Sequence, residues 1–247
     1  MTRPILQLTG VSKSFGGVRV VRDVDLTVAP GERRLILGPN GAGKTTLFNL
    51  ITGDVACDHG SIALNDAQLA HLPTARRVRA GLSRTYQILS LFPHDSLRQN
   101  VVLALLGLSR SRWNPFDVLA ARRDLRDEAD RILATVRLDA IAERPVAQCA
   151  YGEKRRLEIA LALAQRPKVL LLDEPLAGLS QAERADTRRL LGSIPTSVTV
   201  LLIEHDMDVA LTLAERVTVL HLGEVIADGE RDAVIRDPRV REVYLGE

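Results

Sequence analysis

The chain has 247 residues, 46% hydrophobic and 26% charged, enough apolar material for a sizeable core with the charge content of an ordinary globular protein. A formal net charge of +2 gives no global electrostatic case for nucleic acid, and no apolar run approaches the roughly 18 residues of a membrane span. Cys57 and Cys149 stand far apart, outside any metal-ligand spacing, which argues against a disulfide scaffold or zinc site and suits a reducing cytosol. The N-terminal MTRPILQLTG lacks the apolar run of a signal peptide, so action at a membrane is expected to need another chain to cross it.

In chain order, residues 5–8, 18–21 and 25–28 read as short strands separated by Gly16-Gly17 and bounded by Pro30-Gly31. Residues 34–37 read as a short buried strand ending at Gly38, and 44–52 as a helix. Ser96 precedes an apolar run with Gln99 three residues on, a capping-box signature that starts a helix over 97–107. A polar loop at 109–116 carries the only tryptophan, Trp113, and helices over 117–138 and 153–165 follow. Beyond this mostly helical insert, strands at 169–172, 198–203, 217–220 and 225–227 alternate with helices at 181–192 and 206–214. Strands alternating with helices predict an α/β fold with a parallel sheet covered on both faces.

Gly38-Pro39-Asn40-Gly41-Ala42-Gly43-Lys44-Thr45 fits the pattern G-x-x-x-x-G-K-[ST], between a strand and a helix. Its glycines let backbone N–H groups point at phosphate oxygens, and the following helix presents its positive end to an anion. Lys44 is expected to reach the β- and γ-phosphates, and the Thr45 hydroxyl to ligate Mg²⁺. Lysine occurs only at positions 13, 44, 154 and 168, so its presence here is pointed. The strand Val169–Leu172 leads into Asp173-Glu174-Pro175, at the carboxyl end where open α/β sheets bind ligands. Asp173 is expected to hold Mg²⁺, usually through water, and Glu174 to accept a proton from the attacking water. The strand 198–203 leads likewise into Glu204-His205-Asp206, which puts His205 within reach of a γ-phosphate.

Read with those residues, the chain resembles the ATP-binding cassette family over essentially its whole length. Gln87, in Arg84-Thr85-Tyr86-Gln87, is similar to the family's glutamine, which reaches Mg²⁺ and the attacking water and couples to the membrane subunits. Phe15 resembles the upstream aromatic that stacks on adenine, His205 the switch histidine, and Thr46 joins the ATP-binding set. Cys149-Ala150-Tyr151-Gly152-Glu153 aligns with the signature motif L-S-G-G-Q, which in the family crosses a head-to-tail dimer to cap the partner's ATP. Only Gly152 is retained, and the serine hydroxyl is lost at Ala150. Ala177-Gly178-Leu179-Ser180 stands where S-A-L-D is common.

These departures, with Arg155-Arg156-Leu157-Glu158-Ile159-Ala160, the run from Leu201 to Met207 and the tail ending Val243-Tyr244-Leu245-Gly246-Glu247, are similar to the ATP-binding subunits of bacterial branched-chain amino acid importers, whose relatives serve urea and short amides. Cassettes for lipopolysaccharide export carry a similar tail. The resemblance implies a P-loop NTPase core with a mainly parallel sheet, an N-terminal antiparallel β subdomain and a helical insert. The cassette would span 5–240, with its nucleotide-binding core at 5–87 and 166–230, a helical subdomain at about 88–165 and a tail at 231–247. It implies ATP and Mg²⁺, two transmembrane permease subunits, a second cassette (a different chain or the same one), and a periplasmic or extracellular substrate-binding protein. The place implied is the cytoplasmic face of the bacterial inner membrane. A soluble cassette acting on ribosomes or DNA is the alternative from another class, as is a non-hydrolysing module, which would lack Glu174 or His205.

Overall fold

The computed structural model describes residues 3–85, 92–108, 123–204 and 212–245, and its contacts group the chain into two compact units. Gln87, the Trp113 loop, the start of the helix expected over 117–138, His205 and most of the helix expected over 206–214 lie outside the described residues.

The first unit comprises residues 1–84, 168–174 and 194–247. Strand β1 (Leu6–Phe15) pairs antiparallel with β2 (Val18–Val28) and with β4 (His59–Leu64), and β5 (Ala67–Gln68) extends that sheet. In β1, Leu6 and Leu8 are buried while Gln7 and Thr9 are exposed, the alternation of a half-buried antiparallel strand. The two short runs expected at 18–21 and 25–28 form one strand, because Asp23 takes a φ of 45° and absorbs a register shift rather than breaking the pairing.

The second sheet of this unit has β3 (Arg33–Leu37) at its centre. Its order is β10 (Glu224–Glu230), β9 (Arg216–His221), β3, β8 (Thr199–Ile203), β7 (Val169–Asp173) and β6 (Leu82–Arg84). All its pairings are parallel except β9–β10. Helix α1 (Lys44–Thr52) shares one buried core with both sheets, including Leu6, Val21, Phe48, Leu171 and Ile203.

Buried arginines, Arg34 and Arg77 among them, satisfy backbone and carboxylate groups in this unit. Arg34, 1% exposed in central β3, donates to Glu32 at 2.5 Å, to Thr218 and Thr27 at 3.0 Å, and to Asp228 at 2.5 Å, so its buried charge is matched on several sides. Arg77, from α2 (Thr74–Ala80), donates to the carbonyls of Leu50 and Ile51 at 2.7 and 2.8 Å. Those carbonyls belong to the last turn of α1, where helix geometry leaves acceptors without an intrahelical donor.

The second unit comprises residues 85–167 and 175–193. Helices α3 (Leu97–Leu108), α4 (Arg123–Thr135) and α5 (Tyr151–Ala164) pack together through Val101, Leu105, Ala129, Leu133 and Leu157, and α6 (Gln181–Ser193) completes the unit. Ser96 Oγ accepts the Gln99 N–H at 3.1 Å, making the serine half of the expected capping box. Helix α5 begins two residues earlier than the expected start at 153. Glu153 accepts the Ala150 N–H at 2.8 Å and so draws Tyr151 and Gly152 into the first turn. Residues 175–193 group with the helices, whereas the sequence reading puts 166–230 in the nucleotide-binding core. Among the described residues no helix is long and apolar enough to cross a membrane, and Cys57 and Cys149 are free thiols.

Candidate nucleotide-binding site

The loop from Gly38 to Gly43 leaves the carboxyl end of β3 and enters α1 at Lys44. Gly38 and Gly43 are required by contact as well as by conformation, Gly41 by its φ of 79° alone. Gly43 caps α1 with φ 99°, and a Cβ there would sit 2.6 Å from the Val20 carbonyl oxygen. A Cβ on Gly38 would sit 2.3 Å from the carbonyl oxygen of Leu220. At Gly43 and Gly38 the loop is thus wedged against β2 and β9, with no room for a side chain at either position. From the other side Gly223, in the β9–β10 turn, donates its N–H to Ala42 O at 3.1 Å and accepts from Arg22 N–H at 2.8 Å.

A cleft of about 220 Å³ opens over this loop, lined from Asn40 to Thr46 and by Val20 and Glu174. The Lys44 ammonium is buried and donates to the carbonyls of Gly38 at 2.7 Å and Pro39 at 3.0 Å. Burial lowers its pKa, and the carboxylates of Glu174 and Asp173 oppose that shift. Loop carbonyls therefore hold the charge at the cleft. A larger concavity of about 800 Å³ lies between the antiparallel sheet and the start of β10, among side chains such as Arg19, Asp23, Asp58 and Glu224. Its walls are mostly strand side chains rather than a loop of backbone N–H groups.

Asp173 closes β7 and is fully buried. Burial pushes its carboxyl up, and Arg84, which donates to Oδ2 at 2.8 Å, pulls it back. Glu174 follows with φ 49°, a left-handed conformation uncommon for a residue with a Cβ, while its N–H donates to Ile203 O at 3.0 Å. That bend ends the strand and places Glu174 in the cleft wall; backbone strain of this kind concentrates at functional sites. Thr45 and Thr46 line the same cleft. Phe15 ends β1 and is 46% exposed, with the Lys13 ammonium 5.4 Å from its ring centroid.

In the helical unit, Ala150 caps α5, and Tyr151, exposed, donates its hydroxyl to Ala177 O at 3.4 Å. A Cβ on Gly152 would meet Glu183 Oε1 at 2.3 Å, so a side chain there would displace that carboxylate. Glu183 accepts from the Ser180 N–H at 2.9 Å and hydroxyl at 2.6 Å. The Ser180 hydroxyl and N–H hold its carboxyl below the usual carboxylate range, with a further bond from the Gly152 N–H. The segment 150–153 and the loop 177–180 are therefore tied to one another through Tyr151 and Glu183.

The phosphate loop, Lys44, Thr45, Asp173 and Glu174 come together in the first unit, and Ala150, Tyr151, Gly152 and Glu153 belong to the second. Gln87 and His205 fall outside the described residues. Sequence reasoning missed Arg84 and Gly223. A lone arginine in an arginine-rich chain and a glycine in a late hairpin carry no local signal of the contacts they make.

The architecture is that of a nucleotide-binding cassette with a helical insert, and comparison with known proteins places it. Residues 21–177 match the ABC transporter family, and residues 224–247 match a segment described as branched-chain amino acid ATP-binding cassette transporter. The chain belongs to the ABC transporter family and is one of its ATP-binding ATPase subunits. It is 37% identical to the high-affinity branched-chain amino acid transport ATP-binding protein BraF of Pseudomonas aeruginosa, over the full length of both. It is 37% identical to the lipopolysaccharide export system ATP-binding protein LptB of Acidithiobacillus ferridurans, over 98% of this chain and 97% of that one. A crystal structure of the ADP conformation of an ATP-binding cassette of an ABC transporter superposes with a TM-score of 0.87 at 29% identity, covering all of both chains.

Proposed function

We propose that this chain is the ATPase subunit of an importer for branched-chain amino acids or related small amino acids and amides, working with separate membrane-spanning subunits. The observation that carries the substrate class is the match of residues 224–247, which include β10 and the terminal helices Arg231–Ile235 and Pro238–Leu245, to the branched-chain amino acid cassette segment. The assembly pairs the chain with two permease subunits, a second cassette and a substrate-binding protein, and holds it at the cytoplasmic face of the bacterial membrane. The similarity to LptB supports a second reading, export of a lipid-linked substrate, with the same ATPase chemistry.

In this reading the phosphates of ATP enter the cleft above Gly38–Thr45. Lys44 exchanges the carbonyls of Gly38 and Pro39 for β- and γ-phosphate oxygens, and the backbone N–H groups of the loop and the first turn of α1 take the remaining charge. Thr45 and Asp173 are hard oxygen donors suited to Mg²⁺. Among the described residues there is no group of three or more His, Cys, Asp or Glu able to hold a metal. That donor set fits magnesium, which takes one or two protein oxygens and completes its shell with phosphates and water. When bound, Mg²⁺ neutralises charge building on the transferring phosphoryl group. Glu174 accepts the proton of the attacking water, with Gln87 and His205 orienting water and γ-phosphate. Phe15 offers its ring to adenine. The segment Ala150–Glu153 caps the nucleotide held by the partner cassette.

The test is reconstitution in vesicles with its permeases and binding protein, following ATP-driven uptake of labelled leucine. Uptake that requires ATP and is lost in Glu174→Gln is the expected result. ATPase activity coupled to lipopolysaccharide release, without leucine uptake, would replace this reading with export.

A further inference from the structure

The two metal donors of the proposed site come from different elements. Thr45 is in the first turn of α1, and Asp173 is the last residue of β7. Neither element's own sequence sets the distance between them, yet magnesium tolerates little departure from octahedral geometry. One side chain spans the two elements. Arg84, the last residue of β6, donates from one guanidinium nitrogen to Asn49 Oδ1 at 2.5 Å and from the other to Asp173 Oδ2 at 2.8 Å. Asn49 lies four residues after Thr45 on α1 and so shares its helical face.

The fork is itself held. Its side chain is 4% exposed, its guanidinium carbon lies 5.7 Å from the Phe48 ring centroid, and Asp54 Oδ2 is 3.5 Å from the nitrogen that reaches Asn49. Asp54 is fixed in turn by the Thr52 hydroxyl at 2.7 Å. The bond to Oδ2 stops rotation of the Asp173 carboxylate, which sets the direction of Oδ1. The bond to Asn49 references that direction to α1 and therefore to Thr45.

We propose that Arg84 is a positioning residue for the metal site, fixing the Asp173 carboxylate relative to the Thr45 face of α1 through one planar fork to Asp173 and Asn49. The proposal rests on the reading of Thr45 and Asp173 as magnesium ligands. A lysine cannot replace this arginine, because a single ammonium keeps the charge but lacks the rigid two-nitrogen geometry. Outer groups that orient ligands typically contribute about 10–100-fold to metal affinity.

The experiment measures Mn²⁺ binding by electron paramagnetic resonance on the full chain with a non-hydrolysable ATP analogue, and separately the analogue's affinity in EDTA. Arg84→Lys and Arg84→Met are expected to weaken Mn²⁺ binding by about 10–100-fold, with metal-free analogue affinity unchanged. Asn49→Ala is expected to weaken it in the same direction by less. Should Arg84→Met fail to fold, Arg84→Lys and Asn49→Ala decide the matter. Wild-type Mn²⁺ affinity in folded Arg84→Lys overturns the proposal. So does a parallel fall in metal-free analogue affinity, which would make Arg84 a support for the phosphate loop alone. Failure of the metal-site reading itself is distinct, since the wild-type chain would then bind the analogue without retaining Mn²⁺.

Discussion

The N–H of Gly223 donates to the carbonyl of Ala42 at 3.1 Å, joining a hairpin near the end of the chain to the middle of the phosphate loop. The same glycine has φ 87°, and a Cβ on it would approach Val20 O to 2.6 Å. The Val20 carbonyl also blocks a side chain on Gly43, so one strand residue packs against both glycines.

Gly223→Val is therefore expected to lower both stability and nucleotide affinity. A side chain there meets backbone and forces a strained φ, a combination that costs on the order of 1–3 kcal/mol. Thermal melting with and without ATP measures both effects. A variant with wild-type melting and wild-type affinity would mean the turn does not brace the loop.

Lys44→Ala is expected to abolish nucleotide binding while leaving the fold intact. The amine's contacts are to loop carbonyls that lie at the cleft and will accept water in its place. Calorimetric titration with MgATP is the measurement. Near-normal affinity would show that the loop does not use its lysine for phosphate.

Glu174→Gln is expected to bind ATP normally and to lose hydrolysis by on the order of 10²–10⁴ in rate, the usual effect of a missing general base. The amide preserves side-chain shape, and its backbone meets the same left-handed φ of 49° as the glutamate. ATP should then trap a closed dimer, seen by size-exclusion chromatography. Full turnover in the variant would assign the base elsewhere, with His205 next in line.

Ala150→Ser is expected to raise the ATPase rate of a self-paired dimer. The wild-type segment lacks the hydroxyl, and its own side chains already take some of the N–H groups a phosphate would use. Ala150 N–H goes to Glu153 at 2.8 Å, and the Glu183 carboxylate accepts from Gly152. A restored hydrogen bond is worth about 0.5–1.5 kcal/mol, or up to roughly tenfold. The comparison is steady-state turnover of the isolated chain, of Ala150→Ser and of the reconstituted complex. Equal rates in all three would show that the missing hydroxyl does not limit turnover.

The phosphate loop and the Asp173-Glu174 pair were legible because each is a local run, with strand, turn and chemistry adjacent in sequence. What was not legible is held by distant partners. Arg34 reads as one residue of a short buried strand, and nothing near it announces Thr218 or Asp228, 184 and 194 positions away. Arg84 finds Asp173 across 89 positions. Strand β4 escaped the reading because only Ile62 and Leu64 mark its buried side, although Asn65 and Asp66, with φ 47° and 63°, form the kind of two-residue turn that signals a hairpin. Helix α2 escaped for another reason. Its sequence, TARRVRA, lacks an apolar stripe, and its buried residue is Arg77.

Arg77 has a consequence for the heat of binding. Because its guanidinium already satisfies the Leu50 and Ile51 carbonyls, α1 is anchored at its far end before any phosphate reaches the near one. Wedged glycines hold the loop in the same way. Nucleotide arrival at this unit thus orders little chain, and the calorimetric signature should be that of a preformed site, with a small heat-capacity change rather than the large one of coupled folding.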